Sequence, residues 1–241
     1  MPIIGNAEAI AHWETLPQTF IDSFGDEGDL AHQYLLNPTL FALLGDVQGK
    51  TILDAGCGQG YLARLLSKRG AKVTGLEPAT PLIEYAIKRE EVEQSGVRYI
   101  QADLSAFTDT VQLFDIIIAN MVLMDIPDDE AALDACFAHL RPGGQFICSL
   151  IHPCFEESDS VYQDQGYIAV HEYFREDAIP QRWGYRFHRP LSHYFTALIR
   201  RGGVIRSVVE PQLDVAQAQG ALAENRNLYV PAFIVIQAVK S

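Results

Sequence analysis

Thr51-Ile52-Leu53-Asp54-Ala55-Gly56-Cys57-Gly58-Gln59-Gly60-Tyr61-Leu62 joins a short apolar run to an acid, then to glycines at alternate positions, then to an amphipathic run. The apolar run reads as a buried strand, and Tyr61 to Gly70 as a helix with a glycine stop. Glycines at such a turn reach backbone angles closed to other residues and let the chain come close to a ligand. The helix behind them presents free backbone N–H groups. The stretch predicts a nucleotide-type pocket at the carboxyl end of a first strand.

The same rhythm continues outward. Lys72 to Leu76, Val97 to Ile100, Phe114 to Ala119 and Gln145 to Ile151 read as strands, Phe114 to Ala119 as a continuously apolar one buried on both faces. Pro81 to Glu90 and Asp128 to Leu140 read as helices, the second with Asp128, Asp129 and Glu130 in a first turn that suits its dipole. Strands alternating with helices predict an α/β fold with an open, doubly wound, mostly parallel sheet. The first 49 residues hold no lysine or arginine and read as helices ahead of the sheet. After the fifth strand comes an inserted segment rich in aromatics, prolines and charges. Its Ile168 to Phe174 alternates like a strand and predicts an inserted hairpin. Pro190 to Arg201 reads as a helix stopped by Gly202-Gly203, and Val204 to Val209 and Ala232 to Val239 as terminal strands.

Composition narrows the partners. A net charge of −13 argues against a nucleic-acid backbone, which needs clustered cations. Cys57, Cys136, Cys148 and Cys154 are scattered without a CxxC pair, so reduced thiols in a cytoplasmic protein fit better than a disulfide framework or a structural zinc site. Met1 to Ile4 lacks the basic start of a signal peptide, and no uncharged apolar stretch reaches membrane-spanning length.

Gly56-x-Gly58-x-Gly60 departs from the GxGxxG of dinucleotide binders, and Asp54 precedes it. With Val73-Thr74-Gly75-Leu76-Glu77-Pro78, Gln101-Ala102-Asp103-Leu104 and Leu140-Arg141-Pro142-Gly143-Gly144-Gln145, the stretch resembles the class I S-adenosylmethionine-dependent methyltransferases from Lys50 to Ile151. Gly25 to Asp29 and His188 to Tyr194 look similar to segments of a bacterial small-molecule branch of that family. The resemblance implies a Rossmann-like methyltransferase fold forming one domain. Residues 1–49 would be a helical lid, 50–151 the cofactor-binding core, 152–189 a substrate-facing insertion and 190–241 a terminal helix and strands. It further implies that Asp54, Gly56, Gly58 and Gly60 hold the methionine end of adenosylmethionine, and that Glu77 takes the ribose hydroxyls. Pro78 would lie against adenine, Asp103 and the Leu104 N–H would meet its amino edge, and Asn120 and Met121 would border the sulfur.

The cofactor's sulfonium and α-amino charges suit an acidic lining, whereas a pyrophosphate prefers N–H groups without a carboxylate such as Asp54 beside them. Plainer roles stand beside these: Asp103 capping a turn, Asp54 bracing the loop from behind, Cys57 as a small filler, and Leu140 to Gly144 as a helix stop and turn. His152, directly after the fifth strand, is the first candidate for a catalytic base, or else a histidine bonded to loop backbone. Tyr34, His171, Tyr173, His188 and Arg189 are the candidate acceptor contacts. Tyr34, Tyr173, Phe174, Trp183 and Tyr194 would wall an aromatic or apolar acceptor or form the insertion's own core. Asn120-Met121-Val122-Leu123 lacks the tetrapeptide of amino-nucleobase methylating enzymes. No metal site is expected: of Asp125, Asp128 and Asp129, two read as helix-start residues.

Arg175, Arg182, Arg186, Arg189, Arg200, Arg201 and Arg206 either meet an anionic acceptor or, as favoured by the charge pattern, pair with Asp22, Asp26, Glu27 and Asp29 to fasten a lid. The expected function is methyl transfer to a small-molecule acceptor, yielding S-adenosylhomocysteine. A non-catalytic adenosylmethionine-binding regulator and a nicotinamide-dependent dehydrogenase are the rivals. A homodimer stays open, because an apolar lid face and a dimer face look alike in sequence.

Overall fold

The structure is a computed structural model that describes residues 4–108, 112–156, 165–214, 216 and 226–241. Residues 1–3, where the leader reading begins, and 157–164 of the expected insertion lie outside them. Two short helices, α1 (Asn6–Trp13) and α2 (Gln18–Ser23), precede α3 (Asn37–Leu44), which is entered through a π-helical turn at His32–Leu36. The alternating part follows as β1 (Thr51–Ala55), α4 (Tyr61–Lys68), β2 (Lys72–Glu77), α5 (Thr80–Glu93), β3 (Arg98–Gln101), β4 (Phe114–Asn120), α6 (Asp129–His139) and β5 (Leu140–Ile151). A hairpin of β6 (Ala178–Gln181) and β7 (Gly184–Phe187), then α7 (Leu191–Arg200), β8 (Gly203–Val209) and β9 (Phe233–Lys240), complete the described chain.

The main sheet has the order β3-β2-β1-β4-β5-β9-β8, parallel from β3 to β5 and closed by antiparallel β9 and β8. Strand order reverses between β1 and β4, and a crevice at the carboxyl ends of such neighbours is where open α/β sheets take ligands. The residue alternation dictates the two faces. Leu53, Ala55, Ile117, Ala119, Phe146 and Cys148 meet α6 and α7 on one side, and Ile52, Ile116, Ile118 and Ile147 meet α3 and α4 on the other. The expectation of a doubly wound sheet with helices ahead of it holds.

The expected hairpin at Ile168 to Phe174 does not form, and the hairpin lies at β6 and β7 instead. Alternation makes a strand only where a second strand supplies ladder partners. Ala178 to Gln181 finds them in Gly184 to Phe187 across the Arg182-Trp183 turn, with Gly184 at φ 130°. Packing against the N-terminal helices then holds the ribbon: the Tyr185 and His12 rings meet edge to face at 4.8 Å.

Gly60 illustrates how tightly the first turn is specified. It starts α4 in the left-handed region at φ 83°, and a Cβ there would lie 2.4 Å from the Tyr99 hydroxyl. Gly60→Ala is expected to destabilise the protein by at least the about 1–2 kcal/mol that left-handed backbone costs an L-residue, read as a lower midpoint in urea.

Candidate functional site

A cavity of about 500 Å³ opens at the carboxyl ends of β1, β2 and β4, within the size range of small-molecule sites. The β1–α4 loop supplies Gly56, Cys57 and Gly58, and the backbone N–H groups of Gly56 and Cys57 both donate to the Leu76 carbonyl, tying the loop to β2. Gly56 sits at φ 75°, where a Cβ would lie 2.6 Å from Val122. Asp54, Glu77, Pro78, Asp103, Leu104, Asn120 and Met121 all line the cavity, so the expected cofactor residues are brought together. Gly60 is not among the lining residues and serves the helix start described above.

Asp54 is 1% exposed, and its Oδ2 finds no hydrogen-bond partner among the described residues. Burial raises its carboxyl to about 7, opposed in part by the Ala63 backbone N–H and reinforced by the negative charge of Glu77. Burial also raises Glu77 to about 7, although its Oε1 accepts from the Ala79 N–H at 2.9 Å and its Oε2 from the Gly58 N–H at 3.1 Å. Asp125, at a short turn after β4, is raised to about 8 by burial, with Arg186 pulling down and Glu77 pushing up. Three carboxyl groups thus resist ionisation because the wall offers them little positive charge, and a buried unpaired acceptor is costly. The residues present fit a cationic ligand. A sulfonium with an α-amino group matches the bare Asp54 oxygen.

Asp103 also performs the plainer duty foreseen for it: its Oδ1 caps the turn at Leu104–Ala106 by accepting from the Ser105 N–H. The Asn6 side-chain amide reaches its Oδ2 at 3.4 Å. Cys57 is buried with its thiol pushed well up by desolvation, which suits a filler and not a nucleophile. At the end of β4, Met121 adopts φ 60°, held by Ser149, while the Ser149 hydroxyl donates to Asn120 Oδ1 at 2.6 Å. Asn120 in turn donates to the Tyr61 hydroxyl at 3.0 Å.

The acceptor-side expectations fare differently. His152 is 2% exposed and does not line the cavity. Its Nδ1 accepts from the Cys154 N–H, and its Nε2 faces Glu210 at 2.9 Å, so neither nitrogen is left to take a substrate proton. Tyr34, His171, Tyr173, His188 and Arg189 are absent from the cavity wall too. His188 is held between Glu156 and the Tyr173 carbonyl, and the Tyr173 hydroxyl accepts from the Leu191 N–H, making them the insertion's own core. Arg189 is buried on Asp129 and on the carbonyls of Leu123, Ile126 and Pro127.

Five of the seven clustered arginines pair with acids, and none of those five with the N-terminal ones. Arg175 meets Glu172 and Asp177, Arg186 meets Glu156, and Arg200 and Arg201 meet Glu130, while Asp26 pairs with Arg89. Partners nearer in the fold outcompete those the charge pattern indicated. Arg182 and Arg186 do reach the cavity. Of the three acids after β4, Asp128 caps α6, Asp129 pairs with Arg189 and His193, and Asp125 turns to the cavity.

The remaining wall was not foreseen as a unit. Asn6, Trp13, Phe20 and Phe24 from the N-terminal segment and Trp183 and Tyr185 from the hairpin line it, together with Asp29, His32 and Tyr61. Gly25 to Asp29 stood out in the sequence, and Gln59 anchors it by donating to the Gly25 carbonyl at 2.6 Å. Nothing local announced that His32 would follow it into the cavity.

Fold and site together define a methyltransferase domain: the family of that description matches residues 27–198, and the chain belongs to it. A ubiquinone biosynthesis O-methyltransferase of Coxiella burnetii is 32% identical over 152 residues, covering 62% of this chain and 64% of that relative, so the chain spans less than two thirds of its length. An S-adenosylmethionine dependent methyltransferase from Mesorhizobium loti has a similar structure, with a TM-score of 0.72, 26% identity and coverage of 84% and 96% of the two chains. A Burkholderia thailandensis 1,6-didemethyltoxoflavin-N1-methyltransferase, solved with S-adenosylhomocysteine, shares the fold at a TM-score of 0.64 and 18% identity, covering 100% of this chain and 92% of its own. Among the described residues no helix is long and apolar enough to cross a membrane.

Proposed function

We propose that this protein transfers a methyl group from S-adenosylmethionine to a small-molecule acceptor held in the same cavity. The observation that carries the reading is the buried Asp54 Oδ2, without a partner among the described residues, in the cavity wall beside the glycine loop. Asp54 would hold the α-amino group, Glu77 the ribose hydroxyls, Asp103 and the Leu104 N–H the adenine edge with Pro78 against its face, and Asn120 and Met121 the neighbourhood of the sulfur. Bound there, the cofactor supplies an electrophilic methyl group whose bond to sulfur breaks as the acceptor's bond forms. The protein's task is to hold the acceptor in line, at about 3 Å from that carbon. The aromatic cover of Trp13, Phe20, Phe24, Trp183 and Tyr185 excludes water from the encounter. A cytoplasmic setting suits the four free thiols, three of them buried.

Calorimetry with adenosylmethionine, adenosylhomocysteine and NAD tests the reading. The first two are expected to bind and NAD not, since its pyrophosphate would meet the Asp54 and Glu77 carboxyl groups. Glu77→Ala and Asp103→Ala are each expected to weaken adenosylhomocysteine by about tenfold or more, the worth of one or two hydrogen bonds. NAD binding tighter than adenosylmethionine, or undiminished affinity in both variants, would overturn it.

A further inference from the structure

We infer that His32, oriented by Asp29, is the general base of this site, and that it takes the proton of a weakly acidic acceptor hydroxyl. The inference rests on the methyl-transfer reading and adds the residue that receives the acceptor's proton.

Asp29 precedes the helical segment that widens into the π-helical turn at His32–Leu36, and its Oδ1 accepts from the His32 backbone N–H at 3.0 Å and lies 2.7 Å from the ring Nδ1. Burial raises the Asp29 carboxyl, but the hydrogen bonds and charge of His32 outweigh it, and the net shift is downward. An ionised carboxylate only accepts, so Nδ1 carries the proton in the neutral ring and Nε2 keeps its lone pair. Nε2 makes no hydrogen bond among the described residues, and His32 lines the cavity. A base within hydrogen-bond reach of an orienting acid, in a cavity, is the arrangement general-base catalysis requires.

Capping the helix start would need only the backbone hydrogen bond. The ring is fixed further, edge-on to Tyr61 at 5.4 Å and tilted against Phe24 at 5.7 Å. Gly28 is shaped to it: a Cβ there, at φ 84°, would lie 2.4 Å from His32 Cβ. Tyr61 links this ring to Asn120 at the end of β4, where the methyl group is expected. The charged or titratable groups facing the ring are Asp29 on its own segment and Tyr61 on α4, with Asp54 behind Tyr61. In the step, the acceptor's O–H proton passes to His32 Nε2, the oxygen forms the bond to the methyl carbon, and the electron pair of the broken bond stays on sulfur.

The test uses the full chain, with catechol and the more acidic 4-nitrocatechol as probe acceptors, and His32→Gln and Asp29→Asn as variants. With catechol, His32→Gln is expected to lower kcat by about 10²–10⁴-fold, the usual worth of a positioned base. Its deficit should largely vanish with 4-nitrocatechol, which is already ionised at the assay pH. Calorimetric adenosylmethionine affinity should be unchanged in both variants. Nitrogen-15 NMR of the histidine-labelled wild type should show a protonated Nδ1 and a bare Nε2 on His32, and a tautomer mixture in Asp29→Asn. An equal deficit with both probes, full activity of His32→Gln, a protonated Nε2 in the neutral wild-type ring, or no product from either phenol while adenosylmethionine binds would each sink the inference. Failure to bind adenosylmethionine would instead remove the reading beneath it.

Discussion

Asp54→Asn is expected to weaken adenosylmethionine by about 10- to 100-fold, the about 1.5–3 kcal/mol of a hydrogen bond to a charged group, while stabilising the ligand-free protein. The opposite signs arise from one atom. Without ligand, Oδ2 is a desolvated acceptor with no partner among the described residues, and an uncharged amide removes that cost. In the proposed complex, the same oxygen would be the carboxylate that meets the ammonium.

The pH dependence follows from linkage. The Asp54 carboxyl moves from 3.8 to about 7 on folding, so the folded state binds its proton more tightly than the unfolded chain does. Its contribution to ligand-free stability is therefore greatest at low pH and declines as pH rises from about 4 to 7. Glu77, raised from 4.5 to about 7, and Asp125, raised from 3.8 to about 8, act with the same sign. The ligand-free melting temperature should fall from about pH 4 to 8, because these three groups ionise in the unfolded chain while the fold keeps them protonated, and less steeply in Asp54→Asn. Adenosylmethionine affinity should rise over the same interval, because the cation selects the ionised form, with protons released on binding. Scanning fluorimetry and calorimetry in buffers of different ionisation enthalpy read both trends. Affinity that falls with pH would contradict the assignment of Asp54 to the ammonium.

Arg189→Met is expected to cost about 3–5 kcal/mol of stability, the penalty for breaking a buried ion pair by removing one partner. Arg189 is 6% exposed and Asp129 2%, with 3.2 Å between Nε and Oδ1, and the guanidinium also holds the Leu123, Ile126 and Pro127 carbonyls. Removal leaves Asp129 paired with His193 and frees the loop that carries Asp125 to the cavity. Arg189→Lys should recover only part, since an ammonium cannot span the same fork. Urea unfolding measures the loss. An acceptor-specific rise in KM with unchanged stability would return Arg189 to the acceptor-binding role read from the sequence.

That change of role shows where sequence reading reaches its limit. Glu77 and Asp103 were legible because each is an acid at the end of its own strand, and a parallel sheet brings consecutive strand ends to one edge. His152 also stands at a strand end, yet its ring turns to Glu210, which no local pattern connects to it. Alternation at Ile168 to Phe174 named a strand that finds no partner among the described residues, whereas Ala178 to Phe187 pairs across a two-residue turn. Gly25 to Asp29 was noticed, but His32 counted only once the Gln59 side chain had fastened that segment to the glycine loop.

The sequence by itself determined the open, mostly parallel sheet and the glycine-and-acid wall of the cavity. Those features depend on apolar periodicity, on glycines at a turn with φ 75° and 55°, and on acids at strand ends, all within short spans of chain. The aromatic wall opposite was decided only by tertiary structure. Trp13 and Trp183 pack in one cluster, and the Tyr185 ring meets His12, though each pair lies far apart in the chain. Long-range packing chooses which of several equally suitable side chains faces the cavity. It chose His32 and Arg186 for the wall and placed His152 and Arg189 behind it.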